Sequence, residues 1–219
     1  MTELQSQGSY TEANPAMATI HIVDDEPMVR HSLQDLFASE GWRVRVYKDG
    51  SEFLSSLTNN HLGCVVLDIK LPGMDGMAVY SEMKRREMNL PVLFYTGFGT
   101  VRDATLAMKN GAADFLEKCD GPQQLIESIR NAIDQHGHQM CRLKQVKQIQ
   151  SMIQTLTPRE SEVLALVMEG QTSREIATAL HRSEKTIQLH RANIMKKFNV
   201  RRVVDLINLV LGVQDSDRL

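Results

Sequence analysis

Three carboxylates stand where two apolar runs stop. The run 18–23 gives way to Asp24 and Asp25, with Glu26 behind them, and the run 64–67 ends at Asp68. Short apolar, β-branched runs bounded in this way read as buried parallel strands. Strands that end in acid deliver carboxylates to one edge of a sheet. Clustered carboxylates repel one another, and a divalent cation with a taste for hard oxygen ligands relieves the repulsion. Asp24, Asp25 and Asp68 therefore predict an acidic pocket for Mg²⁺, or for Mn²⁺ in its place.

The surrounding chain supplies the elements that such a pocket needs. Strand-like runs recur at 18–23, 42–47, 64–67, 91–95 and 113–116, and helix-like segments follow them at 27–39, 50–58, 76–88, 101–110 and 122–135. Val29, Leu33, Leu36 and Phe37 form one helical stripe; Leu125, Ile126, Ile129 and Ile133 form another. Strands alternating with helices imply a parallel sheet covered on both faces. Five such units predict an α/β flavodoxin-like fold with strand order 2-1-3-4-5, whose switch point lies between strands one and three. Asp24, Asp25 and Asp68 would meet there.

Charge divides the chain. Residues 1–138 hold 12 Lys+Arg against 19 Asp+Glu, net −7, and residues 139–219 hold 13 against 8, net +5. An acidic half joined to a basic half predicts two domains, the second suited to an anionic partner. No apolar stretch approaches the ~18 residues of a membrane span. Residues 1–17 are polar, lack the apolar core of a signal peptide and predict a disordered tail. Cys64, Cys119 and Cys141 are odd in number and lack metal-ligand spacing, which fits a reducing, cytoplasmic compartment.

Residues 136–154 are Gln-rich, with apolar positions at 140, 143, 146, 149 and 153. This predicts a helical linker, either pairing in a dimer or lying solvated against its own domain. Beyond it, Thr157, Pro158, Arg159 and Glu160 spell a capping box with proline at the first helical position. Helices are expected from there to Gly170, at about 173–180, after a Ser183 cap, and at 203–210. Two short helices, a tight turn and a basic third helix suit a helix-turn-helix within an all-α domain of four helices. The expected domains are then 18–135, the linker 136–154 and 155–215.

Residues 18–135 resemble the receiver domain of two-component response regulators. The matching positions are Asp24 and Asp25; Asp68 with Leu71, Pro72, Gly73, Met74, Asp75 and Gly76; Thr96 and Gly97; and Lys118. The resemblance implies that Asp68 accepts a phosphoryl group from a sensor histidine kinase. It implies Mg²⁺ held by Asp25, Asp68 and the backbone carbonyl of Lys70, with Asp24 acting through a coordinated water. Lys118 and the Thr96 hydroxyl would bind phosphoryl oxygens, and Gly97 would leave room for the group. Phe115, three positions before the lysine, would follow Thr96 inward on switching, and also fill the core. Homodimers would form on phosphorylation through roughly 101–135. One position departs from the family pattern: Cys119 follows the lysine where proline, through a cis bond, is usual. Either this bond is cis without proline, or it is trans and Lys118 is placed differently.

Residues 156–211 resemble the LuxR-type helix-turn-helix of the NarL/FixJ class. The match runs through Leu156 to Glu160, Glu169 and Gly170, Arg174 to Ala177, and Ser183 to Phe198. The resemblance places the helix from Glu184 in the major groove of promoter DNA and implies RNA polymerase as a further partner. Helical spacing puts Glu184, Lys185, Gln188, Leu189 and Ala192 on one outward face. Gln188 suits adenine, and Leu189 or Ala192 suits a thymine methyl. Arg191, Lys196 and Lys197 suit phosphates, which give affinity without sequence information.

Taken singly, an Asp after a strand is a common turn residue and Lys118 a common surface lysine; their joint order at strand ends favours the site. The expected function is a transcription regulator switched at Asp68, with no metabolic activity and no membrane partner. The Cys119 departure leaves open a regulator that binds DNA without phosphorylation. A phosphatase with an aspartyl nucleophile would want a second acid at position 70, which is lysine.

Overall fold

The computed structural model describes residues 18–56 and 62–214. The expected tail 1–17, residues 57 and 58 of the expected second helix, and residue 215 lie outside them. The chain divides into two compact units that meet in sequence between Gln139 and Met140.

The first unit is built on five parallel strands: β1 (Thr19–Val23), β2 (Arg43–Tyr47), β3 (Gly63–Leu67), β4 (Val92–Thr96) and β5 (Asp114–Glu117). Their order in the sheet is β2-β1-β3-β4-β5, so the expected fold and strand order are borne out. Helices α1 (Pro27–Ser39), α2 (Gly50–Ser56), α3 (Gly76–Arg85), α4 (Val101–Lys109) and α5 (Pro122–Gln154) follow the strands in turn.

Side chains alternate across a strand, and this splits the core in two. Ile20, Ile22, Cys64, Val66, Leu93 and Tyr95 pack with Leu33 and Phe37 of α1 and with Leu125, Ile129 and Ile133 of α5. Val23, Val65, Leu67, Val92 and Phe94 pack the other way, onto Phe53, Val79, Met83 and Ala107. Every residue of β3 and β4 is buried, whereas the edge strand β2 exposes Arg43 and Arg45, charges that discourage a further strand from pairing there. Trp42 lies buried just before β2, its ring edge-on to Phe37 at 5.9 Å, with the Arg130 guanidinium 5.3 Å from its centre.

Among the boundaries that differ from those the sequence predicts, α9 runs on from the expected end at 210 to Gln214, and two others have a plain cause. Helix α3 ends at Arg85 because Glu87 adopts a positive φ of 55°, which lets the Met88 amide turn back to the Met83 carbonyl at 3.0 Å. Helix α5 absorbs the predicted linker and runs unbroken to Gln154. The only breaker on the way, Gly137, costs about 1 kcal/mol, too little to stop a helix whose one proline is its first residue. Among the described residues, no helix is long and apolar enough to cross a membrane.

His136 of α5 is buried, with Nδ1 3.2 Å from the Gly63 carbonyl oxygen. Burial holds its pKa below the ordinary imidazole value, only partly offset by that hydrogen bond. The folded state therefore binds this proton more weakly than the unfolded chain does. The stability it contributes is present above the ordinary imidazole pKa and is lost as pH falls below it. Urea midpoints of the first unit should drop between about pH 7.5 and about pH 5.5, and His136→Gln should flatten the slope.

The second unit contains α6 (Pro158–Met168), α7 (Ser173–Ala179), α8 (Glu184–Lys197) and α9 (Val203–Gln214). Reciprocal capping boxes start α6 (Thr157 with Glu160) and α7 (Thr172 with Glu175), and Ser183 caps α8 through the Thr186 amide. Val163, Leu164, Ile176, Ile187, Ile194, Phe198, Leu206 and Val210 form its core, joined by Ile149 from α5.

Candidate functional site

The acid pocket follows from strand register. Val23 lies opposite Leu67 across the β1–β3 pair, so Asp24 and Asp68, the next residues of each strand, emerge side by side. The Asp68 amide donates to the Val23 carbonyl at 2.9 Å and closes the ladder at this point. Oxygens of Asp24, Asp25 and Asp68 lie within 4.8 Å of one another. Asp24 and Asp68 are buried and Asp25 is exposed. An all-carboxylate set of this spacing suits a hard divalent cation.

Lys118 reaches the pocket from the end of β5. Thr96 pairs with Glu117, and the Lys118 amide donates to the Thr96 carbonyl at 3.0 Å, which carries the lysine over the carboxylates. Its Nζ lies 2.8 Å from Asp24 Oδ2 and 3.0 Å from Asp68 Oδ2. The bond to Cys119 is trans, since no described peptide bond is cis, and the ammonium still reaches Asp68. Burial pulls the Lys118 pKa down, but hydrogen bonds to Asp24, Asp68 and Glu26 together push it above the usual lysine value. Burial raises the Asp24 carboxyl above its usual value, partly opposed by Lys118 and by the Glu26 amide.

The other expected residues surround this group. Thr96 is fully buried at the end of β4, and its hydroxyl accepts from the Phe98 amide at 3.3 Å. Lys70 donates its amide to Asp68 Oδ1 at 3.3 Å, while its ammonium turns away to the Phe98 ring, 3.6 Å from the centroid. Phe115 is half-buried beside Phe94, ring centres 6.0 Å apart. A Cβ on Gly97 would meet only Lys118 Cδ, at 3.9 Å, so no neighbour in this structure demands glycine there. Gly76 is different. A Cβ there would stand 2.1 Å from the Asp68 carbonyl oxygen, so α3 approaches the acid this closely only through glycine.

Two further residues take part that the motifs did not single out. Glu26 Oε1 lies 3.1 Å from Lys118 Nζ, and the Arg30 guanidinium donates to the Asp24 carbonyl at 2.6 Å. For Glu26 the signal was its place directly after the aspartate pair. For Arg30, an ordinary helix arginine six residues from Asp24, the sequence held none.

In the second unit, Glu184, Lys185, Gln188, Leu189, Ala192 and Lys196 are exposed along α8, and Arg191 is half-buried, donating to the Gln171 carbonyl at 3.3 Å. Lys197 departs from expectation. Its ammonium contacts Glu160 Oε2 at 2.7 Å and the Thr155 carbonyl at 2.8 Å. Glu160 is buried, so an ammonium drawn into solvent to meet phosphate would strand that carboxylate; Lys197 is a structural pin between α8 and α6.

The family described as response regulator receiver domain matches residues 20–130, and the LuxR family of bacterial regulatory proteins matches 154–210. Nodulation protein W of Bradyrhizobium diazoefficiens is 34% identical over 211 residues, covering 95% of this chain and 92% of that protein. The transcriptional regulatory protein FixJ of Rhizobium meliloti is 33% identical, covering 89% and 95% respectively. Among solved structures, the response regulator StyR superposes with a TM-score of 0.80 at 34% identity, covering 89% of this chain and 98% of that one.

Proposed function

This chain belongs to the response regulators that couple a receiver domain to a LuxR-type DNA-binding domain, and on that premise we propose that phosphorylation of Asp68 by a sensor histidine kinase switches its binding to promoter DNA. The observation that carries the reading is the Lys118 ammonium, 3.0 Å from the buried Asp68 carboxylate. The assigned segments are a receiver at 18–135, a helical linker at 136–154 and a DNA-binding domain at 155–215.

An oxygen of Asp68 attacks the phosphorus of a phosphohistidine. A P–O bond forms as the P–N bond breaks, and its electron pair stays on that imidazole nitrogen; the ring leaves neutral because its other nitrogen carries a proton. The protein's part is positioning and charge neutralisation. Asp24, Asp25, Asp68 and the Lys70 carbonyl would hold Mg²⁺ or Mn²⁺, which when bound supplies charge neutralisation. Lys118 donates to a phosphoryl oxygen and the Thr96 hydroxyl to another. Gly97 leaves the group room, and Phe115 follows Thr96. Receivers then pair into a homodimer that presents two DNA-binding units to promoter DNA, where RNA polymerase is the expected downstream partner. The regulator works in the cytoplasm, consistent with free thiols at Cys64, Cys119 and Cys141.

The test is incubation with acetyl phosphate and Mg²⁺, followed by intact mass and native size. A phosphoryl adduct and a shift from monomer to dimer are expected. A folded protein that takes no adduct from acetyl phosphate or from a sensor kinase would overturn the reading. Gly76→Ala, which pushes on the Asp68 backbone, should slow adduct formation by about ten- to a hundredfold with the fold intact.

On DNA, Gln188→Ala should cost about 1–3 kcal/mol at the preferred site and relax its sequence preference. Lys196→Ala should weaken binding evenly across sequences and lower the salt slope by about 1. Titrations of specific and scrambled duplexes at several salt concentrations separate the two.

A further inference from the structure

We propose that Glu26 is the alternate partner of Lys118, the carboxylate that keeps its ammonium at the pocket mouth when a divalent cation claims Asp24 and Asp68; the proposal rests on the phosphoacceptor reading. An ammonium has three N–H donors. All three are in use, on Asp24 Oδ2, Asp68 Oδ2 and Glu26 Oε1 at 2.8, 3.0 and 3.1 Å. Two of these partners belong to the carboxylate group that suits a cation. Lys118 therefore stands as the counter-ion of the metal-free pocket and competes with the metal for two of the same carboxylates.

When the cation draws those carboxylates to itself, the ammonium needs another partner or must be hydrated. Glu26 meets that need. It is not one of the three clustered acids, its side chain is 58% exposed against 3% and 4% for Asp24 and Asp68, and it already touches Nζ. In the metal-free pocket Glu26 shares the ammonium with two other carboxylates; in the loaded pocket it holds the ammonium alone. The pair is stronger in the second state, and that difference favours loading, because a contact shifts an equilibrium only by its difference between the two states. Lys118 also stays within reach of an incoming phosphoryl group.

The experiment is calorimetric titration of the full chain with MgCl₂, without phosphodonor, on wild type, Glu26→Gln, Lys118→Met and the double variant. Glu26→Gln should weaken Mg²⁺ binding about two- to fivefold, the scale of one exposed ion pair. Lys118→Met should tighten it. In the Lys118→Met background the effect of Glu26→Gln should vanish, because Glu26 acts through the ammonium. Glu26→Asp keeps the charge but shortens the reach, and should behave like Gln. An equal loss in both backgrounds would mean that Glu26 acts on the cation directly and would overturn the proposal, as would no loss at all. In either case, Mg²⁺ binding and a phosphoryl adduct in the wild type would leave the phosphoacceptor reading standing. A wild type that binds no Mg²⁺ and takes no adduct removes both.

Discussion

Phosphorylation should raise affinity for a two-fold DNA site by about 10²- to 10⁴-fold, and Asp68→Asn should abolish that gain while leaving binding to a single half-site unchanged. The magnitude is that of avidity: pairing two receivers makes the second half-site contact intramolecular. No new contact between α8 and DNA is required. Asp68→Asn preserves shape and removes the nucleophile, so it isolates the switch from the fold. The measurement is fluorescence anisotropy on full-site and half-site duplexes, with and without acetyl phosphate. High affinity for the full site in untreated wild type and in Asp68→Asn alike would select the alternative of constitutive, phosphorylation-independent binding. A half-site gain equal to the full-site gain would show release of the DNA-binding unit rather than pairing.

Lys197→Met should destabilise the second unit by about 3 kcal/mol, more than Glu160→Gln does. Removing the lysine strands a buried carboxylate that keeps only the Thr157 amide and hydroxyl, at 2.8 and 3.0 Å. Removing the carboxylate charge keeps the capping box, and the Lys197 side chain, about a third exposed, turns to water. For a unit of this size the loss corresponds to a melting shift of roughly 12–24 °C. The hydrogen bond from Lys197, with that from the Thr157 amide, holds the Glu160 carboxyl down to about 2. Its folded pKa is depressed, so the pair's stabilisation is present above the ordinary glutamate pKa and is lost as pH falls from there towards 2. The Lys197→Met penalty should shrink over that window.

The fold was legible because period and punctuation agreed. Strand runs of four to six residues ended in acid, threonine-glycine or lysine, and helix stripes followed at 3.6-residue spacing. The pocket was legible for the same reason, since its members sit at the ends of elements where the chain has little freedom. What stayed hidden was pairing over distance. Glu26 and Lys118 are 92 residues apart and meet through register; Glu160 and Lys197 are 37 apart and meet through helix packing. A lysine on the expected DNA-binding helix looks the same in sequence whether it faces phosphate or a buried glutamate. Gly76 was visible only as a motif letter, because its reason is the path of the Asp68 backbone.

The single tryptophan, Trp42, is buried against Phe37, and the four tyrosines, at 10, 47, 80 and 95, also precede Gln139. The second unit, 80 of the 219 residues, has neither, so it contributes no tryptophan or tyrosine emission. Tryptophan emission and near-ultraviolet tyrosine signals then report on the receiver alone. A Lys197→Met protein could lose its DNA-binding fold while its fluorescence melt stayed that of the wild type. Far-ultraviolet dichroism, which sees the helices of both units, would register a transition with no counterpart in the fluorescence. One sample thus carries two thermometers, one for the receiver and one for the whole chain, and their divergence measures how far the two units unfold separately.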